Sequence, residues 1–319
     1  MKYFKRYYLV FILLIYVALW YIIHPILGYM LDSDGVAYLT IARRVAEGDY
    51  LRSINGLWSP LNSWLLVPFI QKGYEAFIVS KYLNLLIGAI LIVQSYLLFK
   101  RFSSSFFYIS LFSACLAVAM VYFTFFQLYG DLLQIIFVLA YLHILLFKIK
   151  ASPMLYSMIC GIIMGLGFYA KAYSFPFFVL HFSVIHFYWY LVGTENRTRI
   201  VKNIILGTLT TILVVLPWTL ALHKKYDVWS ITGLAGKLNM SWNINSAKTF
   251  QDSIQLLIPP TYDDSPSFWE DPYLSQGELS NPLSSSTHFI KWGARVVHTV
   301  LVYTQCMNEI SPFGLAILF

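Results

Sequence analysis

Seven apolar runs, at roughly 8–27, 76–99, 105–126, 131–147, 155–170, 175–193 and 203–222, dominate the chain. Runs of about 17 residues or more can cross a bilayer. In hydrocarbon every backbone N–H and C=O must be satisfied within the structure, and a single segment does that only as a helix. The runs therefore predict an all-α polytopic membrane protein, a bundle of about 7–8 transmembrane helices forming one domain over residues 1–319. Only 12% of the residues are charged and 59% are hydrophobic, whereas a soluble domain carries about 25% charge. The opening MKYFKRYYLVFILLIYVALW has a basic start and a long apolar middle with no small-residue cleavage motif after it, so it reads as an uncleaved signal anchor. The closing SPFGLAILF reads as the start of another span that stops after too few residues, so C-terminal spans are missing from the expected bundle.

The basic residues set an expected orientation. Lys2, Lys5 and Arg6, then Lys100 and Arg101, Lys148 and Lys150, and Arg197, Arg199 and Lys202 all fall on one side of seven crossings. Basic short loops stay cytoplasmic, which places the N-terminus inside. Of fifteen acidic residues only Glu195 shares that side. Chemistry that needs carboxylates is thus expected outside, in two large segments, 28–75 and 223–288. A weakly apolar helix over 288–307 is expected at the interface. The composition, rich in Tyr and Phe, fits a bacterial inner (plasma) membrane.

The net charge of +7 is scattered in small groups, leaving no basic stripe for a phosphate backbone; a nucleic-acid partner is excluded on that ground. Cys115, Cys160 and Cys306 lie among apolar residues without metal-type spacing and read as small membrane hydrophobes. The histidines form no H-x-x-H or H-x-x-x-H pair; His181 and His186, five apart, face different sides of a helix. The N-x-S/T patterns at 196–198 and 239–241 are too common to weigh.

Between residues 31 and 50 the chain reads LDSDGVAYLTIARRVAEGDY. Tyr38, Ile41, Ala42 and Val45 recur at helical spacing opposite Thr40, Arg44 and Glu47, which predicts an amphipathic juxtamembrane helix lying on the outer leaflet and stopped by Gly48. One aspartate of Asp32-Ser33-Asp34 suffices to cap it. A second carboxylate held where a span leaves the membrane is costly and points to function. The same triplet is a D-x-D pattern that could hold Mg or Mn; with two carboxylates and no companion His, no cofactor is required. Outer cations suited to a phosphate are Arg43, Arg44, Lys81, Lys171, Lys224 and Lys225. Lys171 stands out at the end of the fifth run, although a lone lysine there also reads as snorkelling. Lys224 and Lys225 read as a solvated helix end. Asp131 reads as a helix cap or a cavity residue, and Trp269 as a loop anchor or a sugar contact.

This arrangement resembles the GT-C superfamily of membrane glycosyltransferases, in particular the protein O-mannosyltransferase and aminoarabinose-transferase group. The resemblance rests on D34-G-V-A-Y38, EGDY at 47–50, SPL at 59–61, YGD at 129–131, GLGFYAK at 165–171 and LPW at 216–218 followed by HKKYD. Where aminoarabinose transferases carry a Lys before the Pro, this chain has Ser59, so that phosphate contact is not carried over. The resemblance implies an inverting enzyme that takes a sugar from a polyprenyl-phosphate carrier to a hydroxyl on a lipid, glycan or protein. It implies Asp34 as the base, Asp32 as runner-up or as a neighbour that raises the first carboxylate's pKa, and Lys171 as a phosphate ligand, with Arg43 and Arg44 as further phosphate candidates among the outer cations. Tyr38, Trp58, Asp131 and Trp269 would line the cavity. Two other readings stay open: a lipid-linked saccharide transporter or flippase, disfavoured because the runs lack ionisable groups at mid-depth, and an inactive membrane fragment.

Overall fold

The computed structural model describes residues 2–128, 130–147, 153–193, 196–230, 234–245, 260–275 and 280–310. Lys148, Lys150, Glu195, Tyr129 and the closing nonapeptide, all used above, lie outside them. The chain divides into two compact units, Met1–Gly233 with Trp269–Asp271, and Leu234–Phe268 with Pro272–Phe319.

Every apolar run of the first unit is helical: α1 (Lys2–Leu27), α5 (Ala76–Phe102), α6 (Phe106–Phe126), α7 (Asp131–Phe147), α8 (Pro153–Ala170), α9 (Ser174–Val192) and α10 (Arg197–Tyr226). Between α1 and α5 come α2 (Ser33–Glu47), α3 (Tyr50–Ser53) and α4 (Leu61–Ile70). Among the described residues five helices, α1, α5, α6, α9 and α10, are long and apolar enough to cross a membrane, so the protein is an all-α integral membrane protein. The apolar parts of α7 and α8, Asp131–Leu146 and Met154–Ala170, are shorter; at 1.5 Å per residue they extend roughly 25 Å, short of the ~30 Å hydrocarbon core.

Large apolar side chains point outward along these helices, among them Leu14 (63% exposed), Ile22 (69%) and Leu180 (67%). Water would penalise such a surface and lipid accepts it. The inward faces meet by close packing rather than by a hydrophobic drive between helices. Trp20 of α1 stacks on Phe125 of α6 with ring centroids 4.8 Å apart, beside buried Tyr16 and Ile92. Along α8 and α10 the backbones approach through glycines: a Cβ on Gly161 would sit 2.6 Å from the Gly207 carbonyl oxygen.

Lys81, fully buried in α5, donates from Nζ to the carbonyls of Met30 and Phe125. It thereby ties the exit of α1 to the end of α6. Asn84, one turn on, donates to the carbonyls of Thr124 (3.2 Å) and Gln127 (2.6 Å).

The second unit holds α11 (Ala235–Asn245), α12 (Pro272–Ser275) and α13 (Ser286–Ile310). The expected interfacial helix at 288–307 is the middle of α13, which exposes Phe289, Ile290, Val297, Val300 and Leu301. The Ser280 amide donates to Ser241 Oγ at 3.0 Å.

Candidate active site

The loop leaving α1 turns into α2 at Asp32, whose backbone is extended (φ −99°, ψ 165°) and whose Oδ1 accepts from the Gly35 amide. This is an N-cap, so the capping role expected for one aspartate of the pair belongs to Asp32. Gly35 is required here, because a Cβ would lie 2.6 Å from Asp32 Oδ1 and 3.0 Å from the Leu128 Cβ. At the other end Gly48 adopts φ 85° and its amide returns to the α2 carbonyls, the left-handed stop expected of it. Asp49 then caps α3 by accepting from the Arg52 amide at 3.3 Å.

Asp32 Oδ2 is buried with no hydrogen-bond partner among the described residues. Burial raises the pKa of this carboxyl above the ordinary range; the Gly35 amide opposes the rise, Asp34 adds to it, and the Leu128 amide and Lys81 oppose it. An acid whose folded pKa is raised loses stability as pH climbs from its unfolded pKa through the folded one. Asn caps as well as Asp and does not ionise. Asp32→Asn is therefore expected to match wild type in thermal unfolding at low pH and to become more stable than wild type as pH rises through that window. A constant difference across the titration would contradict this.

Asp34 lies one residue inside α2, half-buried, and its Oδ1 accepts from Trp269 Nε1 at 2.9 Å. The indole belongs to a docked tripeptide, Trp269-Glu270-Asp271, that sits against α2, the loop after α3 and α10. Glu270, 1% exposed, takes a two-pronged contact from Arg44, through Nε to Oε1 and Nη2 to Oε2 (3.2 Å). Asp271, fully buried, accepts from Lys225 Nζ at 2.7 Å and from Tyr226 Oη at 2.8 Å. The backbone is held as well: Asn55 Nδ2 donates to the Glu270 carbonyl at 2.6 Å and Trp58 Nε1 to the Trp269 carbonyl at 2.9 Å. Trp269 thus anchors its segment, and it does so against the carboxylate of interest.

Tyr38 is buried behind Asp34, with its ring 5.5 Å from that of Trp58, itself 5.7 Å from Trp269. The Tyr38 hydroxyl finds no well-formed hydrogen bond among the described residues. Its pKa is raised, chiefly by burial and then by the carboxylates of Asp131 and Asp34, against the amides of Ser59 and Gly130. The phenol stays protonated, and both carboxylates lie near it.

Asp131 opens α7, and Lys171 follows directly on α8. Their side chains pair at 3.1 Å while keeping 26% and 18% exposure. Tyr173 Oη approaches Asp131 Oδ1 at 3.5 Å. Gly130 brings these ends together, since a Cβ there would collide with the Ala170 carbonyl. Ser59 holds the same corner by accepting from the Ala172 amide at 2.8 Å, and Asn62 Nδ2 donates to the Leu128 carbonyl at 3.1 Å.

The structure thus gathers Asp32, Asp34, Tyr38, Trp58, Asp131, Lys171 and Trp269 near Leu128 and the start of α7. Two expected phosphate ligands stand apart. Arg44 is buried on the face of α2 where the sequence predicted a polar exterior, because Glu270 neutralises it there and Asp49 lies 3.4 Å from Nη1. Arg43 is exposed and makes no hydrogen bond or ion pair among the described residues. Lys225, expected as part of a solvated helix end, is instead the buried partner of Asp271. The acidic pair Glu270-Asp271 escaped sequence reasoning as a structural element; its only signal was two adjacent acids between Trp and Pro.

Among the described residues no group of three or more His, Cys, Asp or Glu side chains could hold a metal ion. A cation on Asp32 and Asp34 would compete with the Gly35 amide and the Trp269 indole for Oδ1 of each. His181 accepts or donates at Nδ1 to Tyr141 Oη (2.9 Å) and His186 is buried, both within the helical packing. No protein-family model matches the chain, and no curated protein and no solved structure matches it.

Proposed function

We propose that the protein is an inverting GT-C-type glycosyltransferase that moves a sugar from a polyprenyl phosphate to an acceptor hydroxyl on the outer face of the membrane. The observation that carries this reading is the half-buried Asp34 carboxylate, fixed by Trp269 Nε1 at 2.9 Å and sharing one corner with the partly exposed Lys171–Asp131 pair. In the reaction the acceptor oxygen bonds to the anomeric carbon from the side opposite the phosphate. The carbon–oxygen bond to phosphate breaks, and polyprenyl phosphate leaves with the electron pair. Asp34 takes the acceptor's proton, a task that needs a positioned carboxylate. The leaving phosphate is already an anion and needs a cation, not an acid; Lys171 can be shared between Asp131 and that phosphate. Trp269, half-buried and backed by the buried rings of Trp58 and Tyr38, offers an indole to a sugar ring.

Seven crossings with a cytoplasmic N-terminus would put this corner outside, with α7 and α8 as the short spans. The test is transfer by the purified full chain from a panel of polyprenyl-phosphate sugars to hydroxyl acceptors. The expected product has inverted anomeric configuration. No transfer from any donor, with labelled lipid-linked sugar instead crossing the vesicle membrane unchanged, would favour transport.

A further inference from the structure

The N-terminal ends of α8 and α10 lie at one end of the bundle, because the two helices run parallel. Gly161 faces Gly207, Gly165 faces Val214, and Tyr169 Oη donates to the Val214 carbonyl at 3.0 Å. At that end they leave a cavity of about 860 Å³, at the opposite end of α8 from Lys171. Its lining is divided. Arg199, Lys202 and Asn203 supply polar groups, and Met154, Ile205 and Leu209 supply apolar walls.

Four features specify an occupant. Arg199 and Lys202 are exposed, and neither has an ion-pair partner among the described residues. Asn203 is only 6% exposed, lines the cavity, and its carboxamide has no hydrogen bond among the described residues. The residue is buried, but its carboxamide keeps contact with the cavity space, where a ligand oxygen can accept from Nδ2. The walls are the lipid-facing side of the bundle, with Met154 61%, Ile205 61% and Leu209 49% exposed, so they favour a hydrocarbon chain. Helix N-termini add positive potential at the same end.

We propose that this cavity binds an anionic phospholipid. The phosphate lies between Arg199 and Lys202, Asn203 donates to a phosphate or ester oxygen, and an acyl chain runs along Ile205, Leu209 and Met154. The site is independent of sugar transfer at Asp34.

Native mass spectrometry of the full chain in neutral detergent tests this with phosphatidylglycerol and phosphatidylcholine of identical chains. Two cations at about 1 kcal/mol each correspond to roughly 30-fold tighter retention of phosphatidylglycerol. Arg199→Gln/Lys202→Gln is expected to bring it down to the phosphatidylcholine level, and Asn203→Leu to weaken it less. Wild type alone provides a second reading: phosphatidylglycerol should raise the melting temperature and phosphatidylcholine should not. Equal retention of the two lipids, unchanged retention in the double variant, or no selective rise in melting temperature would each overturn the proposal. Full displacement by inorganic phosphate would also overturn it, by showing a site for a free anion.

Discussion

Asp34→Asn is expected to lower sugar transfer by roughly 10²–10⁴-fold, the range a positioned general base contributes, while leaving the protein folded. The second half follows from geometry. The Asp34 Oδ1 accepts from Trp269 Nε1 at 2.9 Å and from Ser33 Oγ at 3.5 Å, and an amide oxygen accepts those bonds equally well. The helix cap is untouched, because Asp32 makes it. Asp32→Asn preserves the cap and removes a charge from the neighbourhood, so its transfer should stay within about tenfold of wild type. Steady-state rates of the two variants, normalised to folded protein, check the contrast. Equal losses in both would remove the basis for assigning the base to Asp34.

The largest effect on stability is expected at Glu270. Glu270→Ala leaves the Arg44 guanidinium, 5% exposed, facing an empty buried site. Removing one partner of a buried ion pair costs about 3–5 kcal/mol, whereas replacing both by apolar residues is often neutral. The single variant should melt far below wild type in detergent, and Arg44→Leu/Glu270→Leu should recover most of the loss. Because Trp269 precedes Glu270, the single variant should also slow transfer at temperatures where it remains folded. A melting temperature unchanged in Glu270→Ala would mean that the pair contributes nothing.

Much of the scaffold was legible in the residues. The edges of α6 and α7 fall where composition changes abruptly, at Ser105 and Asp131. The helix α10 runs well beyond the apolar stretch 203–222, from Arg197 to Tyr226. Hydropathy ends at the charged flanks, but Lys and Arg are good helix formers, and Asn196 caps the first turn by accepting from the Arg199 amide at 3.3 Å. The short α4 was hidden within the external segment 28–75, since Pro60 and Pro68 punctuate it.

The site was legible only in part. The α2 helix with Tyr38 on its apolar face and the Gly48 stop follow from local spacing, and Asp34 was singled out from Asp32 only by the family resemblance. The partner of Arg44 does not follow from spacing, because Glu270 is 226 residues away and reaches α2 only when the Trp269–Asp271 tripeptide docks. A charged side chain's period on a helix assigns it to a polar face unless something distant neutralises it. For the same reason Lys225 read as solvated, although Asp271 holds it inside.

The most direct measurement separates proton removal from every other role of Asp34. Azide, unlike a hydroxyl, attacks an anomeric carbon without losing a proton, so it needs no base. Asp34→Ala supplied with a polyprenyl-phosphate sugar is expected to be inactive toward the hydroxyl acceptor and to form the glycosyl azide with inverted configuration. Undiminished transfer to the hydroxyl, or an azide reaction lost along with it while wild type forms the azide, would contradict the assignment.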